Sequence, residues 1–249
     1  MNRDDLVATG NTAKIYLENG RIIKQFNDDL PDTESLYEAD KLKYVYSCGL
    51  PVPKVLDVTR IDGKQAIIME YIEGKTLGAL LKENGTQSQK YLNIFIETQQ
   101  IIHKVTAIGL EPLADRLRRH IESALHLDKK QKSFLIHQLN SMPFANSLCH
   151  GDYHPFNLIM SGNKVTIIDW VDSSAGDRRA DVYRTFLLIS QISRELADRY
   201  LKLYCEKSGM PKHEILQWAP IVAAARLAEN VASEKPERLL KIINEYCPL

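Results

Sequence analysis

Three oxygen-bearing side chains in one short stretch of the chain could together bind a metal ion and a phosphate. Asp152 comes first, Asn157 is the fifth residue after it, and Asp169 is the twelfth after Asn157. Magnesium prefers oxygen ligands and usually takes one or two carboxylates together with substrate phosphates. Asn157 and Asp169 can supply such oxygens, which leaves Asp152 to hold an acceptor hydroxyl and take its proton. These residue types therefore predict a magnesium site for phosphoryl transfer.

A β-hairpin between Asn157 and Asp169 would bring these two side chains to one point. Residues 158–160 and 165–168 are short apolar runs, and the connection at 161–163 is Ser-Gly-Asn. A Gly-Asn pair between two apolar runs is a hairpin signal. A lone Asp or Asn after a turn is usually only a turn or cap residue. The prediction therefore depends on the joint spacing of the polar residues.

The same stretch resembles the catalytic loop of protein kinases, H-R-D-x-x-x-x-N. Glycine stands in place of the arginine, and Asp169 is followed by tryptophan and valine rather than phenylalanine and glycine. The form H-G-D-x-H-P-x-N, with I-D-W after it, is that of the aminoglycoside phosphotransferase and choline kinase family of kinase-like small-molecule kinases. This resemblance implies ATP and Mg2+ as cofactors, Asn157 and Asp169 as metal ligands, and Asp152 as the catalytic residue. His154 replaces the kinase lysine, and the resemblance leaves it either a charge-steadying role on the transferred phosphoryl group or a purely structural one.

The first part of the chain has the pattern of a small antiparallel sheet. Strands are predicted over residues 6–8, 13–17 and 21–26. The pair Asn19-Gly20 tolerates positive φ and predicts a hairpin between the last two strands. The turn at 9–12 covers the nucleotide phosphates in the resembled family, which implies phosphate contacts from Gly10, Asn11 and Thr12. With a single glycine, this turn is equally compatible with an ordinary β-turn.

Lys24 lies in the third predicted strand, where the resembled kinases have the lysine that contacts the α- and β-phosphates. A lysine that alternates with apolar residues is otherwise typical of a solvated strand face. Its expected partner is a glutamate on the helix that follows, since Asp32 can cap a helix and apolar residues recur at helical spacing over 36–46. The spelling around Glu38 resembles the family's R-E-A-x-x-L segment. The resemblance therefore implies Glu38 as the partner, with Glu34 as the alternative.

A continuous apolar strand over 65–71 leads into a predicted link between two lobes. In the resembled kinases the backbone of this link binds adenine. The resemblance implies Met69 as the gatekeeper, with the carbonyl of Glu70 and the N–H of Ile72 facing the base. From residue 76 onward the pattern is mostly helical. The predicted fold is α+β and bilobal, like that of protein kinases, with a small antiparallel-sheet N-lobe and a mostly helical C-lobe. The predicted parts are a nucleotide-binding lobe over 1–70, a link over 71–75, and a helical lobe with the catalytic loop and acceptor site over 76–249.

Two polar residues, Asp181 and His103, lie outside the catalytic stretch, and the resemblance implies a role for Asp181 alone. Residues 176–181 resemble the family's G-D-P-x-x-D segment, although Arg178 stands where proline is common. By that resemblance Asp181 begins a helix and braces the catalytic loop through backbone N–H groups. His103 lies near the end of a helix predicted over 91–105. It is expected to be an ordinary packed or solvated helix residue.

Composition excludes several classes of protein. The chain has 249 residues, is 44% hydrophobic and 26% charged, and has a formal net charge of zero. This balance gives no electrostatic reason to expect nucleic acid or a membrane as a partner. The four cysteines are widely spread and predict neither a zinc site nor a disulfide framework. No run of about 18 apolar residues occurs, and the N-terminus has no apolar signal core. We expect a soluble, cytoplasmic protein.

The leading function is transfer of the ATP γ-phosphoryl group to a hydroxyl of a small molecule, with two alternatives. A protein Ser/Thr kinase-like enzyme is disfavoured because the segment from Asp169 to Asp181 is short and lacks A-P-E. A nucleotide-binding regulator without transfer is disfavoured by the full catalytic set and favoured only by the sparse phosphate turn. The sequence from residue 190 onward has nine Lys or Arg and eight Asp or Glu. This lack of an acidic excess argues against an enzyme dedicated to aminoglycosides. Choline, thiamine, amino alcohols, sugars and ketosamines all stay open as acceptors, and the oligomeric state is unknown.

Overall fold

The computed structural model describes residues 6–83, 87–143 and 145–247. Its strands are β1 Leu6–Thr9, β2 Ala13–Glu18, β3 Arg21–Phe26, β4 Val55–Ile61, β5 Lys64–Glu70, β6 Lys75–Thr76, β7 Ser147–Cys149, β8 Leu158–Ser161, β9 Lys164–Ile167 and β10 Ser174–Gly176. Its helices are α1 Glu34–Ser47, α2 Leu77–Glu83, α3 Ser88–His103, α4 Leu113–Ser123, α5 Lys129–Ser141, α6 Arg178–Ile192, α7 Arg194–Ser208, α8 Lys212–Leu216, α9 Ala219–Ala228 and α10 Pro236–Tyr246. Antiparallel strands early in the chain, followed by mostly helix, confirm the predicted α+β class.

The chain forms two compact units. The first unit is Met1–Gln87 with Pro155–Asp172, and the second is Ser88–His154 with Ser173–Leu249. The hairpin of β8 and β9 therefore belongs to the first unit, where β8 pairs with β6, although it comes late in the sequence. The lobe boundaries at residues 70 and 75 stay a prediction.

The first unit is built on a five-stranded antiparallel sheet in the order β1-β2-β3-β5-β4. The turns that join β2 to β3 and β4 to β5 have two residues each, and all four have positive φ: Asn19 (48°), Gly20 (70°), Asp62 (50°) and Gly63 (81°). Asn-Gly and Asp-Gly are the pairs that tolerate this geometry, and they match the twist of the flanking strands. Local turn chemistry thus sets the register of the strand that carries Lys24, which pairs with Ile15 and Ile67.

Helix α1 packs on this sheet with a face that the apolar pattern predicted only in part. Leu36 and Tyr46, which were counted as part of its apolar stripe, are 52% and 50% exposed. The buried face carries Ser35, Glu38 and Lys41 together with apolar residues. Ala39, Leu42 and Val45 of the predicted stripe are buried. Only its two ends were wrong, because polar side chains with specific partners occupy part of the buried face.

A three-stranded sheet in the order β6-β8-β9 completes the first unit.

Gly74 lies where the chain enters β6, and a Cβ added there would be 2.2 Å from the carbonyl oxygen of Met160 in β8. We expect Gly74→Ala to lower the free energy of unfolding by about 1–3 kcal/mol, because a backbone atom has to move. Gly10→Ala is the control, since its Cβ would meet nothing closer than 3.6 Å. It should stay within about 0.5 kcal/mol of the parent. Urea denaturation measures both, and equal losses would contradict the close approach.

The second unit is helical apart from the short antiparallel ribbon of β7 and β10. Helix α6 is its central element, with every residue from 180 to 189 buried. It begins at Arg178, three residues before the predicted start, because the Asp177 side chain accepts the Arg179 N–H at 2.8 Å and caps it. Ribbon and helix together position the segment that follows Cys149. None of the helices in the described ranges is both long and apolar enough to cross a membrane.

Candidate active site

The hairpin between Asn157 and Asp169 is present as the sequence predicted. In the antiparallel pair of β8 and β9, Leu158 lies opposite Ile167. One step further, the N–H of Ile168 donates to the carbonyl of Asn157 at 2.9 Å. Asn157 therefore lies just before one strand, and Asp169 lies just beyond the end of the other. Both residues belong to the first unit, and Asn157 is buried.

Asp169 has the local features of a metal ligand. Its φ of 64° lies in the left-handed region, which Asp and Asn adopt more readily than other non-glycine residues. Its Oδ1 atom is buried and makes no hydrogen bond within the described residues, which is uncommon for a buried polar atom. Lys24 Nζ lies 3.6 Å from this oxygen. A carboxylate oxygen without a hydrogen-bond donor is suited to accept a cation.

Asn157 and Asp169 match the ligands that a protein usually contributes to a magnesium site. Within the ranges that the structure describes, no group of three or more His, Cys, Asp or Glu could hold a metal ion. A site completed by protein ligands alone is therefore not found among those residues. Magnesium usually keeps several waters and takes one or two carboxylates with substrate phosphates. One carboxylate and one amide oxygen match that requirement.

Lys24 and Glu38 form a buried ion pair inside the first unit. Lys24 Nζ lies 2.5 Å from Glu38 Oε1, and the two side chains are 12% and 7% exposed. Burial alone would lower the pKa of Lys24, but the charges of Glu38 and Asp169 outweigh it and raise the pKa. Lys24 therefore stays positively charged at neutral pH. The structure joins it to Glu38 rather than to the alternative, Glu34.

Lys41 is a site-supporting residue that the sequence interpretation missed. It lies three residues after Glu38 on the buried face of α1 and donates to the carbonyl of Val171 at 2.6 Å. Helix α1 thus touches both the lysine that pairs with Asp169 and the backbone two residues beyond Asp169. The signal for this role in the sequence was a lysine among the apolar residues of a helix face.

The predicted nucleotide contacts lie on exposed or partly exposed backbone of the first unit. Gly10, Asn11 and Thr12 form the turn between β1 and β2. That turn is held by hydrogen bonds of its own: the Gly10 N–H donates to the carbonyl of Ala13 at 2.9 Å, and the carbonyls of Asn11 and Thr12 accept from Asn27 at 3.0 and 2.9 Å. Their role toward phosphate stays a prediction.

The predicted adenine contacts lie at the end of β5 and just after it. Met69 packs against the apolar core of the sheet. Glu70 is the last residue of β5, and its N–H donates to the carbonyl of Lys54 at 3.0 Å. Ile72 follows in a segment without regular structure. Backbone contacts to adenine from this segment stay a prediction.

Asp152 and His154 lie together in the second unit. Asp152 Oδ2 is 3.4 Å from His154 Nε2. Burial alone would raise the pKa of Asp152, but the hydrogen bond and charge of His154, with the charges of Arg184 and His150, outweigh it and lower the pKa. The carboxylate is therefore ionised at neutral pH. It can accept a hydrogen bond from a hydroxyl, and its low basicity favours orienting that hydroxyl over early proton removal.

Helix α6 holds both backbone polar groups of Gly151, the residue before Asp152. Gly151 has a φ of 83°, which favours glycine over any other residue. Its N–H donates to Asp181 Oδ1 at 2.8 Å, and its carbonyl accepts from Arg184 Nε at 3.1 Å. The two side chains are three residues apart and therefore share one face of the helix. The bracing contact from Asp181 to a backbone N–H, implied by the resemblance, is present.

His103, for which the sequence suggested no role, contacts this brace. Its Nε2 lies 2.9 Å from Asp181 Oδ2, and its Nδ1 lies 3.0 Å from the hydroxyl of Tyr204. Gln99 also donates to Asp181 Oδ2, at 3.3 Å. Gln99 and His103 are four residues apart on the apolar face of α3. That pair of polar residues was the only signal in the sequence.

Comparisons with known proteins show the family and the fold of the chain. The model of the phosphotransferase enzyme family matches residues 8–216. Among solved structures, a thermostable variant of the aminoglycoside phosphotransferase APH(4)-Ia, in ternary complex with ADP and hygromycin B, has a TM-score of 0.74 at 14% identity. The alignment covers 98% of this chain and 94% of that one. The amicoumacin kinase hAmiN, in complex with AMP-PNP and Ca2+, has a TM-score of 0.63 at 15% identity, over 99% of this chain and 89% of that one. The ADP-bound APH(2'')-Ib has a TM-score of 0.62 at 16% identity, over 98% of this chain and 92% of that one. No curated protein matches the chain.

The kinase-like fold and the match to a family model define the class of protein as a phosphotransferase. The chain belongs to the phosphotransferase enzyme family, whose model matches most of its length. This membership confirms the predicted family, the predicted kinase-like fold and the prediction of a small-molecule phosphotransferase.

Proposed function

We propose that this protein transfers the γ-phosphoryl group of ATP to a hydroxyl of a small molecule, with magnesium as the metal. One observation supports this most directly: the buried Lys24 lies 2.5 Å from Glu38 and 3.6 Å from an Asp169 oxygen that has no hydrogen bond. A positive group for the phosphates and an oxygen for the cation are thus preorganised side by side. Preorganised charge of this kind supplies much of the catalysis of phosphoryl transfer.

Lys24 contacts the α- and β-phosphates in this proposal. Its ion pair with Glu38 fixes the direction of the ammonium group before any nucleotide arrives. ADP and AMP-PNP are bound in the solved structures of APH(4)-Ia, APH(2'')-Ib and hAmiN. These complexes support a nucleoside triphosphate as the phosphoryl donor here. Gly10, Asn11 and Thr12 are proposed to lie over the phosphates, and Met69, Glu70 and Ile72 beside the adenine.

Asn157 and Asp169 would hold the magnesium ion. When bound, the ion would neutralise charge on the phosphates during transfer. The protein's contribution is to keep the two oxygens at fixed points of one hairpin, with the Asp169 backbone held in the left-handed region. Asp152 accepts a hydrogen bond from the acceptor hydroxyl, orients the oxygen toward the γ-phosphorus, and takes the proton as the new P–O bond forms. His154 steadies charge on the transferred group.

The acceptor is proposed to be a small molecule, and the similar structure of APH(4)-Ia holds hygromycin B together with ADP. The near balance of acidic and basic residues after residue 190 argues against a polycationic acceptor. A cytoplasmic location completes the proposal. All four cysteines are free thiols, which suits a reducing compartment where ATP is available.

Magnesium-dependent ADP release in the presence of pooled small hydroxyl compounds tests this function. Pools of amino alcohols, sugars, ketosamines and aminoglycosides are compared with ATP alone. We expect one pool to stimulate release at least about tenfold over the acceptor-free rate, because the acceptor oxygen is positioned for attack. Clear ATP binding without stimulation by any pool would favour a protein acceptor or a regulatory role instead.

The pH dependence of the reaction should reveal the contact between His154 and Asp152. Since His154 lowers the pKa of Asp152, its removal should raise that pKa. Asp152 acts as a carboxylate, so raising its pKa moves the acid limb of kcat/KM to higher pH. The ratio of kcat/KM for His154→Ala over wild type should therefore fall steadily from about pH 8 to about pH 5. His213→Ala, an exposed histidine of α8, is the control and should give a constant ratio. A constant ratio for both variants would contradict the proposed coupling.

A further inference from the structure

The buried group formed by Gln99, His103, Asp181 and Tyr204 lies in the interior of the second unit. The side chains of His103 and Asp181 are 2% and 1% exposed. A carboxylate so deeply buried is destabilised unless several donors reach it. Asp181 has three: the Gly151 N–H on Oδ1, and His103 and Gln99 on Oδ2. The donors determine both the charge and the orientation of this carboxylate.

Gln99 and His103 reach Asp181 from α3, and the Gly151 N–H reaches it from the segment before Asp152. Burial alone would raise the pKa of Asp181, but the hydrogen bonds from His103 and from the Gly151 N–H are among the contacts that outweigh it and lower the pKa. The hydrogen bonds of His103 are all satisfied when Nε2 carries the proton and the Tyr204 hydroxyl donates to Nδ1. The contact at 2.9 Å is then a charge-assisted hydrogen bond, which is stronger than the 3.3 Å contact from Gln99.

We propose that His103 is a positioning residue for phosphoryl transfer, which holds the Asp181 carboxylate against the Gly151 peptide and thereby sets the position of Asp152. The path is short and continuous: His103 Nε2 to Asp181, then Asp181 to the Gly151 N–H, and Asp152 is the next residue. Gly151 needs this support because glycine has no Cβ, which leaves the chain free to adopt other conformations at this position. The inference rests on the proposed function, in which Asp152 orients the acceptor hydroxyl.

Arg184 does not replace this support. It holds the carbonyl of Gly151, and its own partner is Glu229 at 2.7 Å. Without the donor from His103, Asp181 Oδ2 keeps only Gln99, and the carboxylate can rotate away from the Gly151 N–H. A displacement of about 1 Å at a catalytic group can lower the rate by about a hundredfold.

His103→Gln and His103→Asn both replace the imidazole with an amide, but they place its NH2 group at different points. Comparing them separates a positioning role of His103 from a packing role. In His103→Gln the side-chain NH2 reaches the place of Nε2 and keeps the donor to Asp181. In His103→Asn the amide reaches only the place of Nδ1, and that donor is lost. Tyr204→Phe removes the Nδ1 partner and leaves the contact with Asp181 intact. His103→Phe is a second donor-free variant that keeps the ring, for use where His103→Asn does not fold.

Steady-state kinetics of acceptor-dependent ADP release, with kcat and the KM for ATP measured separately, test the proposal. We expect kcat to fall at least about tenfold in His103→Asn and His103→Phe, with the KM for ATP changed less than about twofold. His103→Gln and Tyr204→Phe should keep kcat within about threefold of wild type. Equal kcat in all variants, or a His103→Gln variant as slow as His103→Asn, would overturn the proposal.

Amide hydrogen exchange at Gly151 separates this proposal from the proposed function. It is measured on the full chain without any acceptor, so it does not require turnover. We expect faster exchange in His103→Asn and His103→Phe than in His103→Gln, because the Gly151 N–H loses its fixed acceptor. Exchange that is equal in all variants would overturn the link to Gly151. If the exchange rates differ between these variants but the protein transfers no phosphoryl group, the link between His103 and Gly151 is supported and only the proposed function is rejected.

Discussion

Asp152→Asn is expected to lower kcat by about 10²–10⁴-fold, the usual contribution of a positioned acid or base. The amide has nearly the shape of the carboxylate but cannot take a proton, and its NH2 group cannot accept a hydrogen bond from a hydroxyl. The carboxylate is ionised at neutral pH because His154 and neighbouring charges lower its pKa against the effect of burial. Single-turnover transfer with saturating ATP and acceptor measures the loss directly.

Nucleotide binding is the internal control for Asp152→Asn. Lys24 and Asp169, which are assigned to the phosphates and the metal, belong to the first unit and are unchanged in the variant. The dissociation constant for ATP should therefore stay within about threefold of wild type. Asp198→Asn, a surface carboxylate of α7, should leave both quantities unchanged. Retention of more than about a tenth of the wild-type kcat would contradict the role given to Asp152.

Asp169→Asn is expected to weaken the productive use of magnesium and to lower kcat/KM by about a thousandfold or more. A metal ion supplies several kcal/mol of charge stabilisation in such reactions, and each 1.36 kcal/mol is about a factor of ten in rate. The substitution removes the one carboxylate of the proposed donor pair, and it also removes a negative charge 3.6 Å from Lys24. The rate as a function of magnesium concentration at fixed ATP is the measurement.

The concentration of magnesium that gives half the maximal rate distinguishes metal binding from general damage. It should rise at least about tenfold in Asp169→Asn. Asp57→Asn removes an exposed carboxylate of β4 in the same unit and should leave this concentration unchanged. A lower rate with an unchanged magnesium requirement would contradict the assignment of Asp169 as a metal ligand.

Local chemistry made part of the site predictable from the sequence. The hairpin that carries Asn157 and Asp169 depends on a Gly-Asn turn and on two short apolar runs, which are adjacent in the chain. The hairpin that sets the register of Lys24 depends in the same way on Asn19-Gly20. Such signals need no knowledge of distant residues, since turn geometry and strand alternation decide them. The pairing of Lys24 with Glu38 came from the resemblance to a known family and not from spacing.

Contacts between distant parts of the chain were not predictable in the same way. His103 and Asp181 are far apart in the sequence, and a single histidine on an apolar helix face is usually a packed residue. The buried face of α1 was predicted only in part, since Lys41 is buried and bonded to the carbonyl of Val171 while Leu36 is exposed. In both cases a polar side chain occupies a buried position because its partner comes from elsewhere in the fold. Hydrophobic periodicity cannot represent such pairs.

The most direct test of the account follows the γ-phosphoryl group itself. ATP labelled in that group is incubated with the protein, magnesium and the stimulating pool, and the products are separated and identified by mass spectrometry. The account predicts that the label is recovered on one small hydroxyl compound with wild type, only with magnesium, and not with Asp152→Asn. Label that is found only in inorganic phosphate or on protein, or equal transfer by Asp152→Asn, would contradict it.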